Sequence, residues 1–369
     1  MLVVVVLGAC WVLFRIFRPR RERDTYDRGE RNDHGREGDV VKKKRRWWGS
    51  GSVFAVRLPM AYISFDDEAI LWCAQFFAFP EERLRTILEE LPAQYTYFSL
   101  AKRRGGFRPI AAPKKELLLL QKAIYHRILL PVHVHPAATG FRNGLSIVHN
   151  ARPHLGKKEV LKLDIRKFFP SIKRRKVVQV FQTIGYPKNV SEVLAELCCL
   201  NGSLPQGAPT SPALSNIIVR EMDKRLQEIA GEHGLTYTRY ADDLTFSGDS
   251  IHLDTLLPLV NEALKKDRLV LKKIKTRYLR ENRRKIITGV SISSGHKLTI
   301  PKARKRELRK TIYFIRTKGL AEHQKHIGST DPFYLKKVVG YLSYWRSIEP
   351  ENPYVIESMK ALKRIGFKI

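Results

Sequence analysis

Apolar residues recur at helical spacing in some stretches and alternate in others. From Asp66 to Leu91, Ile70, Leu71, Cys73, Phe76 and Phe77, then Leu84, Ile87 and Leu88 recur at three and four residues, which predicts helix. Tyr95 to Pro113 reads as strands around the turn Arg103-Arg104-Gly105-Gly106. Leu117 to Leu130 is an amphipathic helix, and Phe141-Arg142-Asn143-Gly144-Leu145-Ser146 is a turn. An alternating run from Glu159 enters Asp164 as a strand, and Pro170 then ends the strand or opens a helix. Leu204 to Pro212 is a rigid loop rich in Pro and Gly that leads into an apolar helical stretch, Ala213 to Leu226. Thr236 to Ser247 is β-branched and aromatic and predicts two short strands with Asp242 and Asp243 at their turn. Lys302 to Arg316 is a strongly basic helix. Tyr334 to Ile348 sets Leu335, Val338, Val339, Leu342 and Trp345 at helical spacing. The mixture is α+β.

Composition narrows the partner. At 369 residues the chain can bury a sizeable core and hold two or three subdomains. Its formal net charge of +32 is far beyond what solubility needs and implies a polyanion, nucleic acid before anionic membrane. Cys10, Cys73, Cys198 and Cys199 lack metal-ligand spacing and read as reduced thiols of a cytoplasmic protein. Leu2 to Phe14 is apolar but short of the about 20 residues of a membrane helix, and no positive charge precedes it as in a signal peptide. No stable membrane partner is expected. Asp24 to Lys44 is charged and is expected to be disordered. Lys42-Lys43-Lys44-Arg45-Arg46-Trp47-Trp48 suits RNA, or nothing. Residues 1–59 thus read as translated DNA upstream of a true start at Met60, as a weak membrane anchor, or as a basic tail.

The chemistry gathers at carboxylates. Asp242 and Asp243 repel each other at a hairpin tip, and a divalent cation would relieve that; Asp also serves ordinary turns. Asp164, at the end of a buried strand, is costly unless paired or metal-bound. If the three meet on one sheet they could hold two cations about 4 Å apart, the clamp for in-line phosphoryl transfer. The Leu204–Pro212 loop, at a helix N-terminus, can receive a phosphate or sugar edge, or serve only to start the helix. Asn150 and His154, four apart, fall on one helical face, with His154 bracing the site or RNA rather than catalysing. His133 and His135 would share a strand face as structural residues.

In order and spacing, Asp164, Leu204-Pro205-Gln206-Gly207 and Tyr240-Ala241-Asp242-Asp243 resemble the palm domain of reverse transcriptases. Asn150-Ala151-Arg152-Pro153-His154 and Ile287-Thr288-Gly289 look like signatures of the bacterial retron branch, with Ile287 where that branch has Val. The resemblance runs from about Met60 to the C-terminus. It implies a right-hand polymerase with fingers (60–155), a ferredoxin-like palm (156–290) and a helical, basic thumb (291–369). It implies that Asp164, Asp242 and Asp243 hold two Mg²⁺, one activating the primer hydroxyl and the other neutralising pyrophosphate. Arg108, Gln206, Gly207 and Lys275 would contact the incoming nucleotide, although a surface arginine and a solvated lysine are the plain alternatives for Arg108 and Lys275. Phe169, or Phe168 beside it, would gate against the ribose 2′-hydroxyl. Asn150, His154, Thr288 and Gly289 would serve the RNA. The implied partners are a structured non-coding RNA that is template and primer, its branched DNA product, dNTPs, and an effector protein in phage defence. Other prokaryotic reverse transcriptases, of group II introns or diversity-generating elements, are the nearest rivals. The chain ends soon after the expected thumb, which leaves no room for a nuclease or RNase H domain and speaks against an intron enzyme. A catalytically idle RNA-binding scaffold is the rival of another class, and the three aspartates speak against it.

Overall fold

The computed structural model describes residues 65–102 and 105–364. The readings made for residues 1–59, the start at Met60, Cys10 and the two turn arginines Arg103 and Arg104 lie outside them. The described chain divides into two compact units. One holds Ser99–Pro109, and the other holds Asp66–Phe98 and everything from Ile110 onward.

The first helix, Asp67–Phe77, is capped by Asp66, whose carboxylate accepts the Glu68 and Ala69 backbone N–H at 2.8 and 3.3 Å. The expected single helical run to Leu91 is interrupted. Ala78 is left-handed at φ 49°, and Pro80 starts a second helix, Glu81–Glu89. Strands β1 (Tyr95–Ala101) and β2 (Phe107–Pro113) pair as anticipated. The helix Lys115–Ile124 ends in a π-helical turn, Tyr125–Leu129, rather than running evenly to Leu130. His133 and His135 are in irregular backbone, not on a strand: Ala137 donates its N–H to the His135 ring, and the chain turns there. The stretch Ala213–Leu226 is two helices, Thr210–Ile218 and Arg220–Glu232, broken at Val219.

The centre is a four-stranded antiparallel sheet in the order β4-β5-β3-β6, from Thr236–Tyr240, Asp243–Gly248, Glu159–Asp164 and Arg277–Leu279. Its register gives the two faces different characters. Pairs Leu161–Phe246, Leu163–Leu244 and Tyr237–Phe246 set one apolar face, with the Tyr237 and Phe246 rings 4.9 Å apart. The helix Arg220–Glu232 covers it with Met222, Leu226 and Ala230, and packs in turn on Leu253–Lys266. The alternate residues, Lys162, Thr238, Thr245 and Ser247, make the opposite face polar.

Beyond the sheet, the helices Lys302–Lys318, Leu320–His326, Tyr334–Ile348 and Pro353–Arg364 enclose Leu308, Ile312, Ile315, Val338, Leu342 and Trp345. The same core takes in Val148, Ala151, Ile287 and Val290. Lys302–Lys318 buries Leu308, Ile312 and Ile315 along one face and leaves Lys302, Arg306, Arg309, Lys310 and Lys318 in solvent. No helix among the described residues is long and apolar enough to cross a membrane.

Candidate active site

The three aspartates meet at one end of the sheet. Asp164 is the last residue of β3 and the register partner of Asp243, the first of β5. Asp242 lies in the two-residue turn between β4 and β5, where Ala241 has φ 58°, the sign pattern of a type II′ hairpin turn. Carboxylate oxygens of the three residues lie within 4.8 Å of one another. The backbone locks them together: Ile165 donates its N–H to the Asp242 carbonyl at 2.9 Å, and Lys272 donates to the Asp164 carbonyl at 2.7 Å. The electrostatics are those of crowded like charges. Burial first, then the charges of Asp243 and Asp164, push the Asp242 carboxyl up to about 7, with Lys275 opposing. Lys275 forms an ion pair with Asp164 from the 3₁₀ turn Lys273–Lys275. Three oxygen-donor side chains crowded at one point fit a hard divalent cation, whose charge would offset their mutual repulsion.

The two phenylalanines after Asp164 part ways. Phe168 is 4% exposed and sits under the Arg239 guanidinium, 5.9 Å from ring centroid to Cζ. Phe169 is partly exposed, on the short helix Phe168–Ser171, with its ring facing Phe141 at 6.1 Å. Of the two, Phe169 is the more exposed ring. Gln206 is half-buried, and its carbonyl accepts the Ala111 N–H at 2.9 Å. Gly207 is exposed at φ 138°, and a Cβ there would stand 2.4 Å from the Ala111 carbonyl oxygen, so only glycine fits. Arg108 is half-buried on β2, in the unit that holds Ser99–Pro109.

Of the four residues expected to serve RNA, Asn150, His154 and Thr288 are tied internally, and Gly289 is half-buried beside Thr288. Asn150 is in the short helix Ile147–Ala151 and His154 in the 3₁₀ turn that follows, so they do not share one α-helical face. Both are buried, and this structure gives RNA no access to either side chain. His154 Nδ1 meets Ser247 Oγ at 2.6 Å and Nε2 meets Thr238 Oγ1 at 2.8 Å, which pins the polar face of β4 and β5. Burial pushes its imidazole down to about 3, Lys157 adding to the effect. Asn150 accepts from Thr139 Oγ1 at 2.8 Å and donates to Thr288 Oγ1 at 3.3 Å. Thr288 and Gly289 form a tight turn between Ile286–Ile287 and Val290–Ser291, both at positive φ. A Cβ on Gly289 would stand 2.9 Å from the Tyr344 hydroxyl, so this turn is pressed against the helix Tyr334–Ile348.

Sequence reasoning passed over the residues beneath the aspartates. Arg239 and Asp223 are fully buried and joined by two hydrogen bonds, of 2.7 and 2.6 Å. Arg239 also donates to Asn216 at 3.0 Å and to the Ala241 carbonyl at 3.1 Å, so it grips the turn that carries Asp242. Gly140 abuts the same turn: a Cβ on it would lie 2.8 Å from Ala241 N. The one sequence signal for Arg239 was a cation in the middle of an apolar strand.

Crowded carboxylates at the joined ends of two central antiparallel strands, with helices behind and a basic helical block beyond, define a nucleotidyl-transfer polymerase of the right-hand, α+β kind. Residues 100–309 match the family model described as Reverse transcriptase (RNA-dependent DNA polymerase), and the chain belongs to that family. Within it the chain is retron-type. It is similar to the retron Ec86 reverse transcriptase of Escherichia coli, at 33% identity over 286 residues that cover 74% of this chain and 88% of that one. The retron Mx65 enzyme of Myxococcus xanthus is 32% identical over 74% of this chain and 64% of its own length. The retron Ec83 enzyme of Escherichia coli is 26% identical over 75% and 93%.

Proposed function

We propose that the protein synthesises RNA-linked single-stranded DNA from a structured non-coding RNA, by two-metal nucleotidyl transfer, as part of a retron that acts with an effector against phage. The observation that carries this reading is the meeting of Asp164, Asp242 and Asp243 within 4.8 Å on partnered strand ends. Those carboxylates would hold two Mg²⁺. Bound there, the ions supply charge that favours the primer alkoxide and offsets the pyrophosphate.

The chain's own residues do the positioning. Gln206 and Gly207 offer the nucleotide an edge with no side chain in the way. Phe169 fills the space a 2′-hydroxyl would need and so selects deoxyribose. Lys275, now on Asp164, is near enough to serve the nucleotide phosphates. Arg108 serves the triphosphate from β2. The fingers, palm and thumb follow 60–155, 156–290 and 291–369, and the exposed lysines and arginines of Lys302–Lys318 grip the template–primer backbone. The partners are the RNA, its DNA product and dNTPs, and the site of action is the cytoplasm, in keeping with free, buried Cys73, Cys198 and Cys199.

The test is to transcribe the non-coding DNA beside the gene and incubate that RNA with the protein, Mg²⁺ and dNTPs. DNA joined to RNA through a 2′-linkage is the expected product. Extension of ordinary primers with no RNA-joined product would overturn the retron reading and leave a general reverse transcriptase.

A further inference from the structure

Phe141 stands out among the aromatic residues near the site. It is 39% exposed and has φ 62°, a conformation that costs a bulky residue energy. The backbone around it is held on every side. Thr139 donates its N–H to the Arg239 carbonyl at 2.8 Å, and Arg239 returns a bond of 2.8 Å to the Ala137 carbonyl. Asn216 donates to the Gly140 carbonyl at 2.9 Å. Arg142 Nη1 reaches the carbonyls of His135 and Ala138 at 3.4 and 3.3 Å. Gly140 is pressed on Ala241 so closely that no Cβ fits. The segment 137–142 is thus an extra edge on β4, and its tethers force Phe141 into a strained backbone.

What the strain achieves is placement of one ring. The Phe141 centroid lies 6.1 Å from Phe169, tilted by 40°, and 6.3 Å from Tyr240, tilted by 39°. Both are aromatic contact distances. Phe169 is joined on its other side to Phe168, at 5.6 Å. Without Phe141, Phe169 would be free to swing toward the vacated space.

We infer that Phe141 is a positioning residue for sugar selection, bracing Phe169 from the catalytic turn so that its ring meets C2′ of the incoming nucleotide. The inference rests on Phe169 being the gate. The chain spends backbone strain at Phe141 on the rigidity of a neighbour. Phe141 itself need not touch the nucleotide.

The test compares single-nucleotide insertion of matched dNTP and rNTP by the full-length protein on primed RNA. Phe141→Gly removes the ring and relieves the positive φ, so thermal stability and RNA affinity should hold or improve. Discrimination against the ribonucleotide should nevertheless fall roughly threefold to tenfold, the scale of an aromatic contact, with KM for dNTP rising more than kcat falls. Phe141→Tyr should restore discrimination. Phe141→Gly added to Phe169→Val should change nothing beyond Phe169→Val alone, because a brace without its gate has no effect. Unchanged discrimination in Phe141→Gly, or an additive double variant, would overturn the inference while leaving the gate intact. Wild-type discrimination in Phe169→Val would remove the gate itself and the brace with it.

Discussion

Arg239 and Asp223 form a fully buried, two-point ion pair whose third arm ends on the Ala241–Asp242 turn. The guanidinium spends two donors on the Asp223 carboxylate and others on Asn216 and the Ala241 carbonyl. Tyr237 donates its hydroxyl to Asp223 as well, at 2.9 Å. A buried pair of this kind is weak evidence for stability, since apolar residues of the same volume often do as well. Its geometry makes more sense as a holder for Ala241, an alanine at φ 58° that would otherwise relax.

Breaking the pair and replacing it should therefore have different consequences. Asp223→Asn leaves a buried guanidinium uncompensated and is expected to cost about 3–5 kcal/mol in urea unfolding. Arg239→Met combined with Asp223→Leu should recover most of that stability. It should not recover primer extension, because the Ala241 carbonyl has lost its donor. Full extension in the double variant would show that the pair holds nothing catalytic.

Asp242→Asn is expected to abolish DNA synthesis while RNA affinity stays near that of the wild type. The carboxylate lies among two others, and the proposed two-metal reading gives it to metal, not template. Removing it also removes repulsion, so the protein without metal should melt no lower. Primer extension, RNA binding and a thermal melt in EDTA check the three parts. Extension near the wild-type rate would end the metal assignment.

His154 should shape the acid limb of stability. Its imidazole is held neutral down to about 3 when folded, against an ordinary value of 6.5. Below pH 6.5 the unfolded chain therefore takes up a proton that the folded chain refuses, and stability falls as pH drops. At pH 4.5, about two units into that window, the group alone should cost roughly 2–3 kcal/mol relative to pH 7.5. His154→Gln keeps a polar side chain and loses the titration, so its unfolding free energy should vary less between those pH values. An identical acid limb in wild type and His154→Gln would contradict this.

Gly207→Ala should raise KM for dNTP severalfold and cost about 1–3 kcal/mol of stability. The added methyl would meet the Ala111 carbonyl, which is backbone and cannot rotate aside. The β2 residue or the Gln206 loop must then shift. Steady-state kinetics together with a melt check both parts, and wild-type values in both would show that the contact is soft.

The aspartates were legible in the sequence because each lies in a local pattern that names its backbone: a strand end for Asp164, a hairpin tip for Asp242 and Asp243. The helix Tyr334–Ile348 was legible because its apolar spacing alone sets its bounds. The ties behind the site were not legible. Asn150 and Thr288 are 138 residues apart, and His154 reaches Ser247 across 93. No local pattern says that a polar residue in a helix will be bonded internally rather than offered to RNA. Which of Phe168 and Phe169 is buried was closed to sequence for a similar reason: the residues are adjacent and identical, and Phe168 is covered by Arg239 arriving from β4.

Strand pairing adds a constraint of parity. Asp164 faces Asp243 because β3 contributes its even-numbered residues to the polar side and β5 its odd-numbered ones. Dropping a single residue from Glu159–Leu163 would exchange the sides, moving the Asp164 side chain to the apolar face and away from Asp243. Many substitutions along β3 leave that parity alone. This stretch can thus vary in identity far more freely than in length, and a one-codon deletion there should silence the enzyme more surely than most point mutations.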